Sequence, residues 1–492
     1  MSGTAKTNGP SIAIIGAGVS GICLAVNLKR AGIDDFVIYE KSDEVGGTWN
    51  ENTYPGAACD VPSHLYSLSF EPNPNWTRKF PRQAEILDYF KSVARKYDVY
   101  RHVRFGTELD SATFDETSGQ WLLKTRGGEE TSVKVLISGC GQLNRPLIPN
   151  VPGLSDFAGE QFHSARWNHG FDVAGKRIAV IGNGPSAIQF IPEIAKTAEK
   201  VVIYHRTPNY VVPRLDRPYS DFERWLFKNV PGAARLYRWA LYWTLEKNRL
   251  AFTRGTWFNG LYKKAATDHM AAQVPDPVLR AKLSPDYDLG CKRVLISDDW
   301  LPTLSRPNVE VLTSEVDRVT ARSVVDKDGA EREVDAIIFG TGFESTKFLT
   351  PMKVFGLGGK PIDEAWKEGA EAHLGVTVAG YPNFFMTYGP NTNLGHNSII
   401  FMIECQTDYI VGAIRKLRGN RLRYIDVLPG AMARYNEEVQ TAIRESVWAA
   451  GCRSWYKTSD GKVTNNWSGF TMDYWWRTRA PDFSEYRVEP AR

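Results

Sequence analysis

The chain has little cysteine and no close cysteine pair: its six cysteines (Cys23, Cys59, Cys140, Cys291, Cys405, Cys452) are scattered over 492 residues without one CxxC. That spacing makes a disulfide framework implausible at this size, excludes the paired redox thiols of a pyridine nucleotide disulfide reductase, and fits a reducing cytoplasm. No dense run of Lys or Arg occurs and the net charge is only +4, which argues against nucleic acid as a partner. The opening decapeptide MSGTAKTNGP lacks an apolar core, so residues 1–10 are expected to be a flexible tail encoding neither secretion nor an anchor. No apolar stretch is clean enough for an integral membrane segment, and no metal-ligand set is assigned. Oligomeric state is not evident from composition or motif.

What is present is a long chain of ordinary apolar content (42%) with fifteen tryptophans. The length favours two or three domains, and the aromatic content suggests roomy apolar pockets or aromatic cores. The run SIAIIGAGVSGICLAVNLKRAG spells a buried strand through Ile15, a glycine turn with Gly16, Gly18 and Gly21, and a helix from about Val19 to Ala31. In this pattern the first glycine permits the turn, the second lets a pyrophosphate approach the backbone and the third lets helix pack on strand. The next strand, FVIYE, ends on Glu40, where a carboxylate can accept a ribose hydroxyl. The architecture returns in KRIAVIGNGPSAIQFIPEIAKTAEKVVIYHR, whose turn Gly182, Asn183, Gly184, Pro185, Ser186 precedes Ala187 and whose following strand is expected to end on Arg206. An acid at this place repels a 2′-phosphate and a guanidinium clasps one, so the first unit suits FAD or NAD and the second NADPH.

The fold class expected is therefore α/β, with two Rossmann-like dinucleotide-binding domains (FAD and NADPH), the NADPH domain inserted in the FAD domain. Two similar strand-to-glycine ends, VKVLISGCG and VDAIIFGTGF, suggest where the chain leaves the first domain and re-enters it. The divisions are 11–142 for the first part of the FAD domain, 143–153 for a Pro-rich linker, 154–335 for the NADPH domain, and 336–492 for the second FAD part with a C-terminal substrate-site segment. A helical insertion is expected at about 216–285, where aromatic-rich helices break at Pro231-Gly232. It is read as a cap or core packing, with peripheral membrane contact as the alternative.

The stretch GGTWNENTYPGAACD (46–60) fills Gly-Gly-x-Trp, four residues, Tyr-Pro-Gly, three residues, Asp, and FAGEQFHSARWN (157–168) fits Phe-x-Gly-x-x-x-His-x-x-x-Trp. On these motifs, flanked by both glycine turns in order, the chain from residue 11 to the NNWSGFTMDYWWR segment resembles the type I Baeyer-Villiger monooxygenases. The fingerprint usually closes on Pro or Asp; here it closes on Asn168. The resemblance implies an FAD enzyme that uses NADPH and O2 to insert oxygen beside the carbonyl of a small-molecule ketone through a flavin peroxide, giving an ester or lactone. Sulfide oxidation is expected beside it, the alternative being a sulfur or nitrogen monooxygenase. It implies FAD contacts at Gly47, Thr48, Trp49, Asp60, Tyr66 and Leu109, and NADPH contacts at Arg206, Thr207 and Lys292. A catalytic Arg293 in LGCKRVLIS would be oriented by Asp60. His163 would serve as a hinge between domains, and a helix starting close to Ser398 would face the flavin pyrimidine. His396 is left between a flavin contact and a plain loop histidine, and Trp467 between a nicotinamide or substrate contact and packing.

Overall fold

The computed structural model describes residues 11–452 and 454–491; the tail expected at 1–10 lies outside the described residues. Two five-stranded parallel sheets organise the chain. The first runs Phe384–Met386, Val135–Ser138, Ile12–Ile15, Phe36–Tyr39, Val103–Arg104. Its Ile12–Ile15 and Val135–Ser138 strands are buried throughout, the continuous apolar pattern of a sheet covered on both faces. The second runs Val309–Leu312, Lys200–Tyr204, Arg177–Ile181, Ala336–Phe339, Glu160–His163.

Written from the glycine strand outward the two sheets have the same plan. Ile12–Ile15 and Arg177–Ile181 are central, each lies between the next strand in sequence and a much later one, and each later strand follows a small antiparallel meander (109–133 and 316–333). This corrects one boundary. The strand Ala336–Phe339 pairs with Arg177–Ile181 and Glu160–His163, so the second unit extends through Phe339 and the division expected at 336 falls after it. VLISGCG and AIIFGTGF are alike because they hold equivalent places in two copies of one topology, each a strand beside a glycine turn.

Local chemistry explains the helices. The first helix covers Val19–Arg30 with Ala31 as its cap. The helical stretch divides as Asp221–Asn229, Ala233–Glu246, Trp257–Gln273 and Pro277–Leu283. Its first helix is held by a capping box between Ser220 and Glu223, and its second begins after Gly232 at φ 82°, so the Pro231-Gly232 break stands. The strand expected to reach Arg206 stops at Tyr204.

A second correction concerns cysteine. Cys291 and Cys452, 161 residues apart, form a disulfide. Tertiary packing brings their Cα atoms to 6.3 Å, a proximity that no local spacing announces. The tryptophans span the range of exposure: Trp76, Trp121 and Trp448 are fully buried, while Trp225, Trp239, Trp243, Trp257 and Trp476 are more than half exposed.

Candidate active site

The C-terminal ends of Ile12–Ile15, Phe36–Tyr39 and Val135–Ser138 open onto a cavity of about 580 Å³. Gly16 adopts φ 96° there, and a Cβ on it would lie 3.0 Å from the carbonyl oxygen of Gly139. Gly18 backs onto the second loop, where a Cβ on Gly47 would come within 2.9 Å of the Gly18 Cα. Gly21 lies beneath: a Cβ would sit 2.0 Å from the Gly16 carbonyl oxygen, so this position sets helix–strand contact and does not line the cavity. Gly16, Gly18, Glu40, Gly47, Thr48, Trp49, Tyr66 and Leu109 all line it.

Glu40 is buried, with Oε2 accepting from the backbone N–H of Ala17 at 2.7 Å and Oε1 from Ser42 Oγ at 2.7 Å. It ties the strand end to the glycine turn and keeps lone pairs for a further donor. Trp49 Nε1 donates to Tyr66 Oη at 3.0 Å, bracing the wall. The opposite side is Ile399 and Ile403, from the first turns of the helix Ile399–Gly419 whose N-cap is Ser398. Tyr388 in YGPNTN also lines the cavity and was not singled out in the sequence; its aromatic beside a Gly-Pro turn was the available signal. The glycine cradle and the cavity's form fit a flavin dinucleotide, with pyrophosphate at the first turn and a helix start near the other end.

Asp60 ends the 46–60 loop and forms an ion pair, with a hydrogen bond, to Arg293 across 233 residues of sequence. Both side chains are partly exposed, at 33% and 27%. Burial pushes the Asp60 carboxyl upward, but the Arg293 charge and hydrogen bond, with Arg214 adding, hold it below the ordinary carboxylate range. Asp60 in turn raises the already high pKa of Arg293, which keeps its proton at every working pH. Two phenols beside the pair, Tyr388 and Tyr456, are raised by burial, an effect partly offset by the Arg293 charge. Arg214 donates to the Cys59 carbonyl at 2.9 Å, fixing the loop immediately before Asp60. Neither Tyr456 nor Arg214 carried a motif that marked it beforehand.

A second cavity, about 1010 Å³, is lined by Arg206, Thr207, Lys282, Tyr287, Lys292 and Cys452, among others. Arg206 is mostly exposed, 3.6 Å from Glu315. Lys292 lies over the Tyr287 ring at 5.1 Å, and burial followed by the Arg206 charge lowers its pKa. The turn Gly182, Asn183, Gly184, Pro185, Ser186 lies between strand Arg177–Ile181 and helix Ala187–Ile194; it lines neither cavity. A Cβ on Gly182 would lie 2.4 Å from the Gly340 carbonyl oxygen, matching the Gly16–Gly139 approach in the first unit. Asn183 Nδ2 donates to the Thr207 carbonyl at 3.0 Å, linking the turn to the cation pocket.

The remaining candidates are placed as follows. His163 is buried at the end of its strand, its Nδ1 accepting from the Ala165 N–H at 3.1 Å and its ring edge-on to Phe343 on the crossover after Ala336–Phe339. Asn168 accepts from the Gly170 N–H at 3.0 Å, as an aspartate could, and donates to Glu160 at 3.2 Å. His396 lies 3.5 Å from the buried Glu246 and outside the flavin-type cavity wall. Trp467 is buried in the core with its indole N–H satisfied by the Phe470 carbonyl at 3.0 Å, so it packs.

The flavin-binding monooxygenase-like family matches residues 9–226. A Baeyer-Villiger monooxygenase of Streptomyces coelicolor is 43% identical over 97% of this chain and 92% of its own length. One from Pseudomonas aeruginosa is 43% identical over 97% and 91%. Among solved structures, closed cyclohexanone monooxygenase superposes with a TM-score of 0.88 at 27% identity, covering 98% of this chain and 99% of that one. Oxidised steroid monooxygenase bound to NADP gives a TM-score of 0.88 at 28% identity, covering 98% and 100%. The complex of OTEMO with FAD and NADP gives 0.87 at 26%, again covering 98% and 100%.

Proposed function

The chain belongs to the Baeyer-Villiger monooxygenases, and from that membership we propose how its own residues divide the work. It is an FAD- and NADPH-dependent enzyme that inserts one oxygen atom of O2 beside a ketone carbonyl to give an ester or lactone. Bound FAD supplies the oxygen-activating chemistry and NADPH the hydride.

Gly16 and Gly18 admit the FAD pyrophosphate, Glu40 accepts a ribose hydroxyl, and Gly47, Thr48, Trp49, Tyr66 and Leu109 form the wall along the cofactor. The N-terminus of Ile399–Gly419, whose Ile399 and Ile403 line the cavity, would offer a positive dipole end to negative charge on a bound flavin. Arg206, Lys292 and Thr207 hold the 2′-phosphate of NADPH, with Lys282 on the same cavity wall. Arg293 is the catalytic residue: its permanently protonated fork donates to the substrate carbonyl oxygen as that atom gains negative charge. Asp60 keeps the fork aimed. A donor prepositioned for a developing oxyanion contributes commonly about 3 to 4 kcal/mol.

The observation that carries this reading is the Asp60–Arg293 pair, two motif residues from distant segments meeting beside Tyr388, which lines the flavin-type cavity. The test is product analysis of linear, cyclic and aryl ketones with NADPH under labelled oxygen. One labelled atom in an ester or lactone is expected. Label only in sulfoxide from an added thioether, with ketones untouched, contradicts it. No helix is long and apolar enough to cross a membrane among the described residues. A cytoplasmic setting is part of the proposal, and in it Cys291 and Cys452 would be held as thiols.

A further inference from the structure

Residues 221–264 contain nine Lys or Arg and three Asp or Glu, so this short stretch holds more net positive charge than the +4 of the entire chain. It is also where the exposed aromatics gather. On helix Ala233–Glu246, Leu236, Trp239 and Trp243 stand at spacings of three and four, one face of the helix, with 73%, 52% and 54% of their surface open. Phe222 and Trp225 repeat the pattern on Asp221–Asn229, and Trp257, Phe258 and Leu261 on Trp257–Gln273. Helix Ala233–Glu246 is anchored beside its row. Tyr242 bonds Thr471 Oγ1 at 2.7 Å, and Glu246 accepts from the Thr471 N–H at 2.6 Å. These bonds bring helix Thr471–Thr478 alongside, carrying Trp475 and Trp476 with Arg479 over both rings at 5.0 and 5.1 Å.

The cations at this surface are free to act outward. Arg224 and Lys264 are paired with Asp221 and Asp268, but Lys228, Arg235, Lys247 and Lys263 have no carboxylate within 4.0 Å among the described residues. This mixture separates two kinds of occupant. Protein interfaces are enriched in Trp and depleted in Lys. A surface lying in the headgroup layer combines Trp, Phe and Leu with Lys and Arg, since rings enter the acyl boundary while ammonium groups meet anionic headgroups.

We propose that this tryptophan-bearing, basic face of the helical insertion docks the enzyme on the surface of an anionic phospholipid bilayer, without spanning it. None of the apolar side chains named on this face lines either cavity.

The test is co-sedimentation of FAD-loaded enzyme with phosphatidylcholine vesicles and with vesicles of phosphatidylcholine and phosphatidylglycerol at three to one, in low and high salt. Binding is expected to the phosphatidylglycerol vesicles and to fall severalfold at 0.5 M NaCl. Trp239→Ser with Trp243→Ser, and separately Arg235→Glu with Lys247→Glu, are each expected to reduce the bound fraction at least fivefold while turnover of a soluble ketone is unchanged. Equal recovery with and without phosphatidylglycerol overturns the proposal, as does binding that both double variants retain. A dimer that the Trp239→Ser, Trp243→Ser enzyme no longer forms, with no vesicle capture by the parent, assigns the face to a second copy and overturns it as well.

Discussion

At the scale of single residues the site turns on guanidinium groups in two environments. Arg293 is paired with a carboxylate and partly enclosed, whereas Arg206 is mostly open to solvent with only a 3.6 Å contact to Glu315. Arg293→Ala is expected to preserve reduction of bound flavin by NADPH and to lower ester formation by about 10²- to 10³-fold, the cost of losing one oxyanion donor. Arg293→Lys keeps the charge but not the fork, and is expected to recover only part of the rate. Stopped-flow reduction and product chromatography on the same samples check both. Arg206→Ala is expected to raise KM for NADPH about tenfold, as the loss of one charge-assisted bond of about 1.5 kcal/mol implies, and to leave KM for NADH nearly unchanged. An equal rise for both coenzymes contradicts the phosphate assignment. The sequence offers Asp60 and Arg206 through motif and charge and Arg293 and Lys292 through the family resemblance; the structure pairs Asp60 with Arg293 and puts Arg206 and Lys292 on one cavity wall. Tyr388, Tyr456 and Arg214 were not legible there, because their relevance lies only in where their side chains end up.

At the scale of elements the glycine turns behaved as their spacing required. Gly21 shows why the third small residue exists: its Cβ would collide with a backbone carbonyl that cannot move without breaking the turn. The unexpected element is the link from Cys291, immediately before Lys292 and Arg293, to Cys452 in the segment leading to Tyr456. It closes a long loop between the cavity lined by Arg206 and Lys292 and the C-terminal segment. Cys452→Ser is therefore expected to lower stability by about 2 to 4 kcal/mol. Denaturant titration of the FAD-loaded enzyme with and without dithiothreitol checks this; reductant is expected to destabilise the parent and leave the variant unchanged.

For the whole molecule, buried ionisable groups set the dependence of stability on pH. Burial lowers His64, His163, His205 and His373 to about 4. In the unfolded chain a histidine titrates near 6.5. Below that value the unfolded state takes up protons that the fold refuses, so the stability these four contribute is present above about 6.5 and is lost as pH falls through about 4. Asp426 works in the opposite sense: burial pushes its carboxyl up to about 7, so its contribution is present below the unfolded value near 3.9 and is lost as pH rises through about 7. The urea midpoint is expected to drop between pH 7 and pH 5, and Asp426→Asn is expected to raise stability at pH 8 more than at pH 5. A midpoint that does not change between pH 7 and pH 5 contradicts the histidine account.

The amino-acid order by itself determined the two nucleotide-binding units, their coenzymes, and the acid and base that follow the second strand of each. These are properties of short segments, where backbone geometry and charge at fixed spacing decide what can bind. Only the tertiary structure decided that residues 336–339 complete the second sheet, that Cys291 meets Cys452, and that a row of tryptophans faces outward. Strand order, cross-links and exposure depend on which distant surfaces pack together, and that competition among contacts is settled by the whole chain, beyond the reach of any local pattern.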